Sequence, residues 1–187
     1  MSGHDRVHWD NVYREKHGYP NPDPLLFPYV PPVPVGATPP HRALDLAGGL
    51  GQNALWLASQ GYRVDLIDIS RVALVRAQRE AAARGLRTIN FLQSDLDEAA
   101  LQTEAYEVVC VFRFLKRDLF PALRAAVRPG GRVIYETFNR RHLDTSPQFN
   151  PDYALEIGEL GGIFADWQIL RLNESGDVSQ LVAIKRD

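Results

Sequence analysis

Between residues 42 and 138 the sequence alternates short apolar segments with amphipathic ones, and this alternation restricts the fold more than any other feature. Strand-like runs that alternate with helical periodicity predict βα units, in which helices cover a sheet of parallel strands. The apolar run Tyr106–Phe112 is typical of a strand buried on both faces. The predicted strands are Arg42–Ala47, Tyr62–Asp68, Thr88–Leu92, Tyr106–Phe112 and Arg132–Phe138, and the predicted helices are Gln52–Gln60, Arg71–Arg84 and Leu115–Val127.

Residues that start and stop helices support these boundaries. Ser70 is placed to cap the helix that follows it, and Gly61 and Gly85 follow the last periodic positions of two helices. Arg128-Pro129-Gly130-Gly131 closes the third helix, and a weak helical turn is expected near Asp97–Leu101.

The pattern changes after residue 138. We predict a polar loop over Asn139–Asn150, a helix over Pro151–Phe164, and strands over Trp167–Asn173 and Ser179–Lys185. The turn sequence Glu174-Ser175-Gly176-Asp177 joins the two strands, which indicates an antiparallel hairpin. Together these elements predict a doubly wound α/β sheet of seven strands, mostly parallel with an antiparallel C-terminal hairpin.

Nine of the thirteen prolines lie between residues 20 and 40, which predicts an extended connector because proline lacks an N–H and has a fixed φ. Before it, Trp9 and Tyr13 lie at helical spacing, so we expect a short amphipathic helix that acts as a mobile lid. The predicted organisation is a lid and connector over residues 1–40, followed by a ligand-binding domain over residues 41–187.

A glycine-rich turn follows the first predicted strand, in the sequence Asp45-Leu46-Ala47-Gly48-Gly49-Leu50-Gly51. Such a turn lets backbone approach a ligand and directs helix N–H groups at it. Its spacing also fits the dinucleotide fingerprint G-x-G-x-x-G/A, so a small NAD(P)-dependent oxidoreductase stays open. Asp45 argues against a pyrophosphate ligand and favours a cationic one.

Three acidic residues, Asp45, Asp68 and Asp95, stand at the ends of successive predicted strands. Each has an ordinary structural explanation, either as a strand-end acid or as a helix or turn cap. The carboxyl ends of parallel strands form the ligand crevice of an open α/β sheet, so their joint occurrence favours a binding site.

These motifs, together with Trp9-x-x-x-Tyr13 and Leu123–Phe138, resemble the class I S-adenosylmethionine (SAM)-dependent methyltransferases, and among them the tellurite-resistance branch. The resemblance implies SAM as cofactor. It implies that Asp45 and the Ala47–Gly51 backbone hold the methionine part, that Asp68 holds the ribose, and that Asp95 with Leu96 holds the adenine. The full implied cofactor-binding set is Trp9, Tyr13, Asp45, Ala47, Gly48, Gly49, Gly51, Asn53, Asp68, Ile69, Asp95, Leu96 and Phe112.

The loop departs from the family pattern D-x-G-x-G-x-G at one position, where Ala47 replaces the first glycine. Because alanine is also small, we expect a tolerable cost, provided that φ at Ala47 is negative.

On the acceptor side, the loops after the fourth and fifth strands carry Arg113, Arg140, Arg141 and His142. A solvated basic loop is the ordinary explanation. As functional residues, the arginines would attract an anionic acceptor and His142 could remove a proton, so we take His142, Arg113 and Arg140 as catalytic candidates. A small acceptor that is already ionised, such as a thiolate or a chalcogen oxyanion, would need no base, and His142→Ala would then cost less than about tenfold in rate.

Net charge, motifs and the cysteine and histidine content disfavour several classes of partner and ligand. The formal net charge of -2 gives no reason to expect nucleic acid or a membrane, and the residues Val111-Phe112-Arg113-Phe114 lack the adenine-methylating signature. The single Cys110 permits no intramolecular disulfide, and no histidine spacing suggests a metal site. We expect a cytoplasmic enzyme with a small-molecule acceptor, and a SAM-binding interaction module without catalysis is the remaining alternative.

Overall fold

The computed structural model describes residues 3–38, 40–97 and 100–187, with side chains from residue 5 onward. The chain divides into two compact units, Met1–Ala100 and Leu101–Asp187. Its seven strands form a sheet in the order β3-β2-β1-β4-β5-β7-β6. None of the described helices is both long and apolar enough to span a bilayer.

The first unit contains three parallel strands and three helices. Strands β1 and β3 both pair in parallel with β2, and helices α2 and α3 pack on these strands and on each other. Ser70 caps α3 as predicted, since its Oγ accepts from the Ala73 N–H. The elements are α1 (Gly3–Glu15), β1 (Arg42–Leu46), α2 (Gln52–Ser59), β2 (Arg63–Asp68), α3 (Arg71–Ala83) and β3 (Ile89–Gln93).

The second unit contains the other four strands. β4 and β5 are parallel, whereas β7 is antiparallel to both β5 and β6, so β7 is the one reversed strand. The predicted seven-stranded sheet with its antiparallel hairpin is therefore confirmed. The elements are β4 (Tyr106–Phe112), α4 (Phe120–Ala126), β5 (Val127–Phe138), α5 (His142–Thr145), α6 (Glu159–Ile163), β6 (Gln168–Asn173) and β7 (Val178–Ile184).

The proline-rich connector is anchored to the first unit. Leu26 is fully buried, and the Tyr62 hydroxyl donates to the Pro31 carbonyl at 2.7 Å. The connector is not extended throughout, because Pro24–Leu26 forms a 3-10 turn that Asp23 caps through the Leu25 N–H. Proline suits the first position of such a turn, where no N–H is needed. The division at residue 40 stays a prediction.

The continuous α-helix predicted over Pro151–Phe164 is wrong. Only a 3-10 turn at Pro151–Tyr153 and the short α6 are helical. Between them Leu155 makes a parallel bridge to Asn139, and its N–H donates to the Phe138 carbonyl at 2.9 Å. A buried backbone pairing has replaced the helical hydrogen bonds of this segment.

Three smaller boundaries also differ. The predicted helix Leu115–Val127 is a 3-10 turn, Arg117–Leu119, followed by α4, and β5 already begins at Val127. The loop predicted over Asn139–Asn150 contains the single turn α5. The turn predicted near Asp97–Leu101 lies partly outside the described residues.

The condition for a tolerable cost at Ala47, a negative φ, is not met, because the structure gives Ala47 a φ of 53°. Gly49 and Gly51 follow with φ of 56° and 74°, so the loop repeats left-handed backbone at alternate residues. Only glycine adopts this conformation without steric cost.

We therefore expect Ala47→Gly to stabilise the protein. Removing the Cβ relieves about 1–2 kcal/mol of left-handed strain, and the extra freedom of glycine in the unfolded chain offsets about 0.4–1 kcal/mol of it. Thermal unfolding should show a Tm rise of about 1–4 °C. Ala77→Gly, in the interior of α3, is the matched control and should lower Tm. A lower Tm for Ala47→Gly would contradict the strain assigned to Ala47.

Candidate functional site

The glycine loop connects β1 to α2, and Asp45 holds it in place. Asp45 is fully buried, and its Oδ2 accepts from the Ala54 N–H at 3.0 Å in the first turn of α2. A Cβ on Gly48 would lie 2.5 Å from the same oxygen, so the backbone passes directly against this carboxylate. Since Gly51, at the start of α2, has no side chain to cap the helix, Asp45 performs part of that task.

Asp68, at the end of β2, is bound to the same loop. Its Oδ2 accepts from the Gly49 N–H and its Oδ1 from the Ser70 N–H, both at 2.8 Å. Both oxygens keep a lone pair for a further donor. The side chain therefore shapes the loop and can still accept hydrogen bonds from a ligand.

Burial raises the pKa of Asp68, although the N–H groups of Ser70 and Gly49 oppose the shift. The ionised carboxylate therefore lowers the free energy of unfolding near neutrality, and this cost is relieved as pH falls through the raised pKa.

Tyr13, from α1, lies over the loop. A Cβ on Gly49 would collide with the Tyr13 hydroxyl, so the two are in direct contact. Burial, followed by the negative charges of Asp68 and Asp45, raises the pKa of Tyr13 above its usual range. One hydroxyl and two buried carboxylates thus converge on the glycine loop.

Two residues that the sequence analysis did not single out attach α1 to α3. Asp10 accepts from the Ser70 hydroxyl at 2.6 Å and from the Val72 N–H at 3.1 Å. Arg76 donates to the Tyr13 carbonyl in the last turn of α1 and to the carbonyls of Lys16 and Gly18 just beyond it. These contacts place Tyr13 on the loop. The sequence carries a signal for Asp10, because it lies three residues before Tyr13 and therefore on the same side of the predicted helix. No local pattern distinguishes Arg76 from other helical arginines.

The other predicted cofactor residues of the first unit lie in varied surroundings. Asn53 is buried, and its Oδ1 accepts from the Asp23 N–H at 2.8 Å, which ties it to the connector. Asp95 accepts from the Asp97 N–H at 3.0 Å, so it does cap the following turn. Trp9 is 39% exposed, and its ring lies 5.9 Å from that of Tyr13. Ile69 and Leu96 are buried.

In the second unit, Phe112 ends β4 and Arg113 follows it with a φ of 57°. The Arg113 guanidinium lies 2.8 Å from Oε1 of the buried Glu136 and 4.9 Å from the Phe138 ring centroid. Glu136 also accepts from Gln180 Nε2 at 2.5 Å. Arg113 is therefore held by an internal carboxylate.

The two arginines of the predicted acceptor loop have protein partners as well. Arg140 pairs with Glu156 at 2.6 Å, and Arg141 donates to the Glu174 carbonyl at 2.6 Å. Arg140 is therefore paired with an acidic side chain and is a weaker attractor of an anion than the sequence suggested, whereas the partner of Arg141 is a backbone carbonyl, which leaves its charge in place.

His142 has a well-defined environment. Its Nδ1 lies 3.1 Å from Asp177 Oδ2, and its ring stacks on Phe138 at 4.0 Å and meets the edge of Phe149 at 5.0 Å. A carboxylate on Nδ1 favours the tautomer that protonates Nδ1 and leaves Nε2 as an acceptor. Asp177 lies in the hairpin turn, 35 residues away, and no sequence spacing connects the two.

Comparison with known proteins places this fold in a family. Residues 43–131 match the methyltransferase domain family. "Hemagglutinin 1" of Eikenella corrodens is 31% identical over 144 residues, which cover 73% of this chain and 47% of that protein. The ubiquinone biosynthesis O-methyltransferase of Aeromonas salmonicida is 36% identical over 105 residues, 53% of this chain and 44% of the enzyme. TehB from Haemophilus influenzae superposes with a TM-score of 0.69 at 21% identity, covering 80% of this chain and 59% of TehB.

The matched range begins in β1 and includes the glycine loop and Asp68. The chain carries a class I methyltransferase domain. The resemblance predicted from the sequence is confirmed for the methyltransferase domain family, and TehB shares the fold. The chain spans less than half the length of the two relatives named above.

The carboxylates beside the glycine loop suit SAM as a ligand. A SAM molecule carries two cationic groups, an amino group and a sulfonium, and two ribose hydroxyls that need hydrogen-bond acceptors. Asp45 and Asp68 are buried acceptors at the ends of two strands, beside the same glycine loop. A pyrophosphate would meet the negative charge of Asp45 there. Among the described residues, no group of three or more histidine, cysteine or acidic side chains could hold a metal ion.

Proposed function

We propose that this protein is a SAM-dependent methyltransferase that methylates a small-molecule acceptor. The observation that carries the proposal is the convergence of Asp45, Asp68 and the Tyr13 hydroxyl on the glycine loop of a methyltransferase domain. Asp45 disfavours a dinucleotide cofactor, because its buried carboxylate beside the glycine loop would repel the phosphates.

The proposed roles of the cofactor residues are those that the family resemblance implies, and the contacts of Asp68 and Asp45 support them. Asp68 accepts the ribose hydroxyls with its remaining lone pairs, while the Gly49 N–H holds its carboxylate in position. Asp45 and the loop backbone hold the methionine part, and Tyr13 covers it. Asp95 and Leu96 bind the adenine, with Phe112 beside the cofactor.

Of the two acceptor chemistries predicted from the sequence, we propose the thiol. An oxyanion acceptor would need unpaired arginines, whereas Arg113 and Arg140 are bound to Glu136 and Glu156. A thiol needs a base instead, and His142 with Asp177 has the arrangement of one.

SAM supplies an electrophilic methyl group. When bound, SAM would supply this methyl to the acceptor sulfur, and S-adenosylhomocysteine would leave with the electron pair of the broken carbon–sulfur bond. His142 Nε2 takes the thiol proton, and Asp177 stabilises the resulting imidazolium through Nδ1.

Thermal unfolding with each cofactor tests the proposal. At about 100 times Kd, SAM should add about 2.7 kcal/mol to the free energy of unfolding and raise Tm by about 5–10 °C. NADH at the same concentration should leave Tm unchanged. A shift with NADH and none with SAM would reverse the assignment. Binding of SAM without any methyl transfer would favour the non-catalytic interaction module.

A further inference from the structure

A groove of about 640 Å³ lies between α1 and α3, and its walls are strongly basic. Arg14 and Lys16 line it from the α1 side, and Arg71, Arg76 and Arg79 line it from α3. Asp10 is the one carboxylate that lines it within the described part of the chain. The whole chain has a net charge of -2, so this concentration of positive charge is local.

Asp10 offsets part of the charge of Arg14, but the other cations of the groove form no salt bridge within the described residues. Arg76 binds three backbone carbonyls, and Arg14 donates to the neutral Asn11 Oδ1 at 2.6 Å. Within residues 5–38, 40–97 and 100–187, neither Arg71 nor Arg79 takes part in a salt bridge. Elsewhere in the same unit, Arg42 and Arg84 each pair with an acidic residue.

Docking of α1 on α3 brings these like charges together, which disfavours the docked position. An anion with several charges that binds between the two helices would remove this repulsion. Arginine presents donors in a planar fork that matches phosphate oxygens, and a volume of about 640 Å³ is within the range of small-molecule sites.

We propose that this groove binds a compact phosphate group of high charge, of the pyrophosphate type, which bridges α1 and α3. The bound anion contacts Lys16 on one side and Arg71 and Arg79 on the other. The groove adjoins the glycine-loop site, because Tyr13 lines the groove and also contacts Gly49. The cations assigned to the anion lie outside the cofactor set, and the proposal does not depend on the identity of the methyl acceptor.

Isothermal titration calorimetry with inorganic pyrophosphate, at fixed ionic strength, tests the proposal. The wild-type protein should bind one equivalent saturably. Lys16→Glu on the α1 side and Arg79→Glu on the α3 side should each weaken binding at least tenfold, because a bridging anion uses both walls. Arg87→Glu is the matched control, since Arg87 is an exposed arginine of the same unit outside the groove and its reversal changes net charge equally.

Three results would overturn the proposal. They are no saturable binding at millimolar pyrophosphate, equal losses in all three variants, and a loss confined to one wall. A single-stranded RNA of about twelve nucleotides provides a further comparison at equal site concentration. It should bind more weakly than pyrophosphate and should not displace it, and tighter RNA binding would contradict a compact phosphate site.

Discussion

Replacement of Asp68 by alanine is expected to weaken SAM binding by about 10- to 100-fold. The variant loses charge-assisted hydrogen bonds to the ribose hydroxyls, worth about 1.5–3 kcal/mol, and it also releases the Gly49 N–H that shapes the loop. The unpaired N–H groups of Gly49 and Ser70 should lower the free energy of unfolding as well, by about 1–3 kcal/mol. Calorimetric titration with SAM gives the affinity, and thermal unfolding gives the stability.

Asp65→Ala separates the effect on the ligand from the effect on the fold. Asp65 lies on the same strand, is 5% exposed like Asp68, and binds Arg42 at 2.7 Å and Asn90 at 2.6 Å. Its loss should lower Tm but leave the Kd for SAM within about threefold of wild type. Equal Kd values for SAM in folded Asp68→Ala and Asp65→Ala would mean that Asp68 only caps the backbone and does not bind the ligand.

Replacement of His142 by alanine is expected to slow methylation of an alkyl thiol by about 10²–10⁴-fold, the usual contribution of a general base. Sequence reasoning predicted a loss below tenfold for an acceptor that is already ionised. The structure changes that expectation, since Asp177 orients His142 and the neighbouring arginines are paired. With a more acidic aromatic thiol as acceptor, which is largely ionised at neutral pH, the same variant should lose less than about tenfold in rate.

Asp177 is a positioning residue in this account, so its effect must pass through His142. Asp177→Asn should reduce the rate in the wild-type background and have little further effect in His142→Ala. Asp144→Asn, an acidic residue on α5, is the control and should leave the rate unchanged. A His142→Ala penalty that is the same for both thiols would contradict the general-base role.

The βα units could be predicted from the sequence because their signals are local. Hydrophobic periodicity and caps such as Ser70 placed β1, α2, β2 and α3 within about two residues of their observed bounds. The hairpin followed from its turn sequence. The helix over Pro151–Phe164 failed because the Leu155 pairing with Phe138 and Asn139 is long-range, and helical periodicity does not report it.

The candidate site shows the same division between local and long-range information. Asp45 and Asp68 stand at strand ends, where a parallel sheet places ligand-binding residues, and both lie on the glycine loop. The left-handed conformation of Ala47 could not be anticipated from a residue that usually avoids it. The partners of Arg140 and His142, Glu156 and Asp177, lie 16 and 35 residues away and meet them only in the folded unit.

Transfer of isotope-labelled methyl from SAM to a small alkyl thiol tests the central claim most directly. The account predicts label in the methylated thiol and one equivalent of S-adenosylhomocysteine per labelled product. At subsaturating SAM, the rate of methyl transfer should fall in Asp68→Ala and stay at the wild-type value in Asp65→Ala. A protein that binds SAM yet moves no label to any small acceptor above the rate without enzyme would contradict the claim.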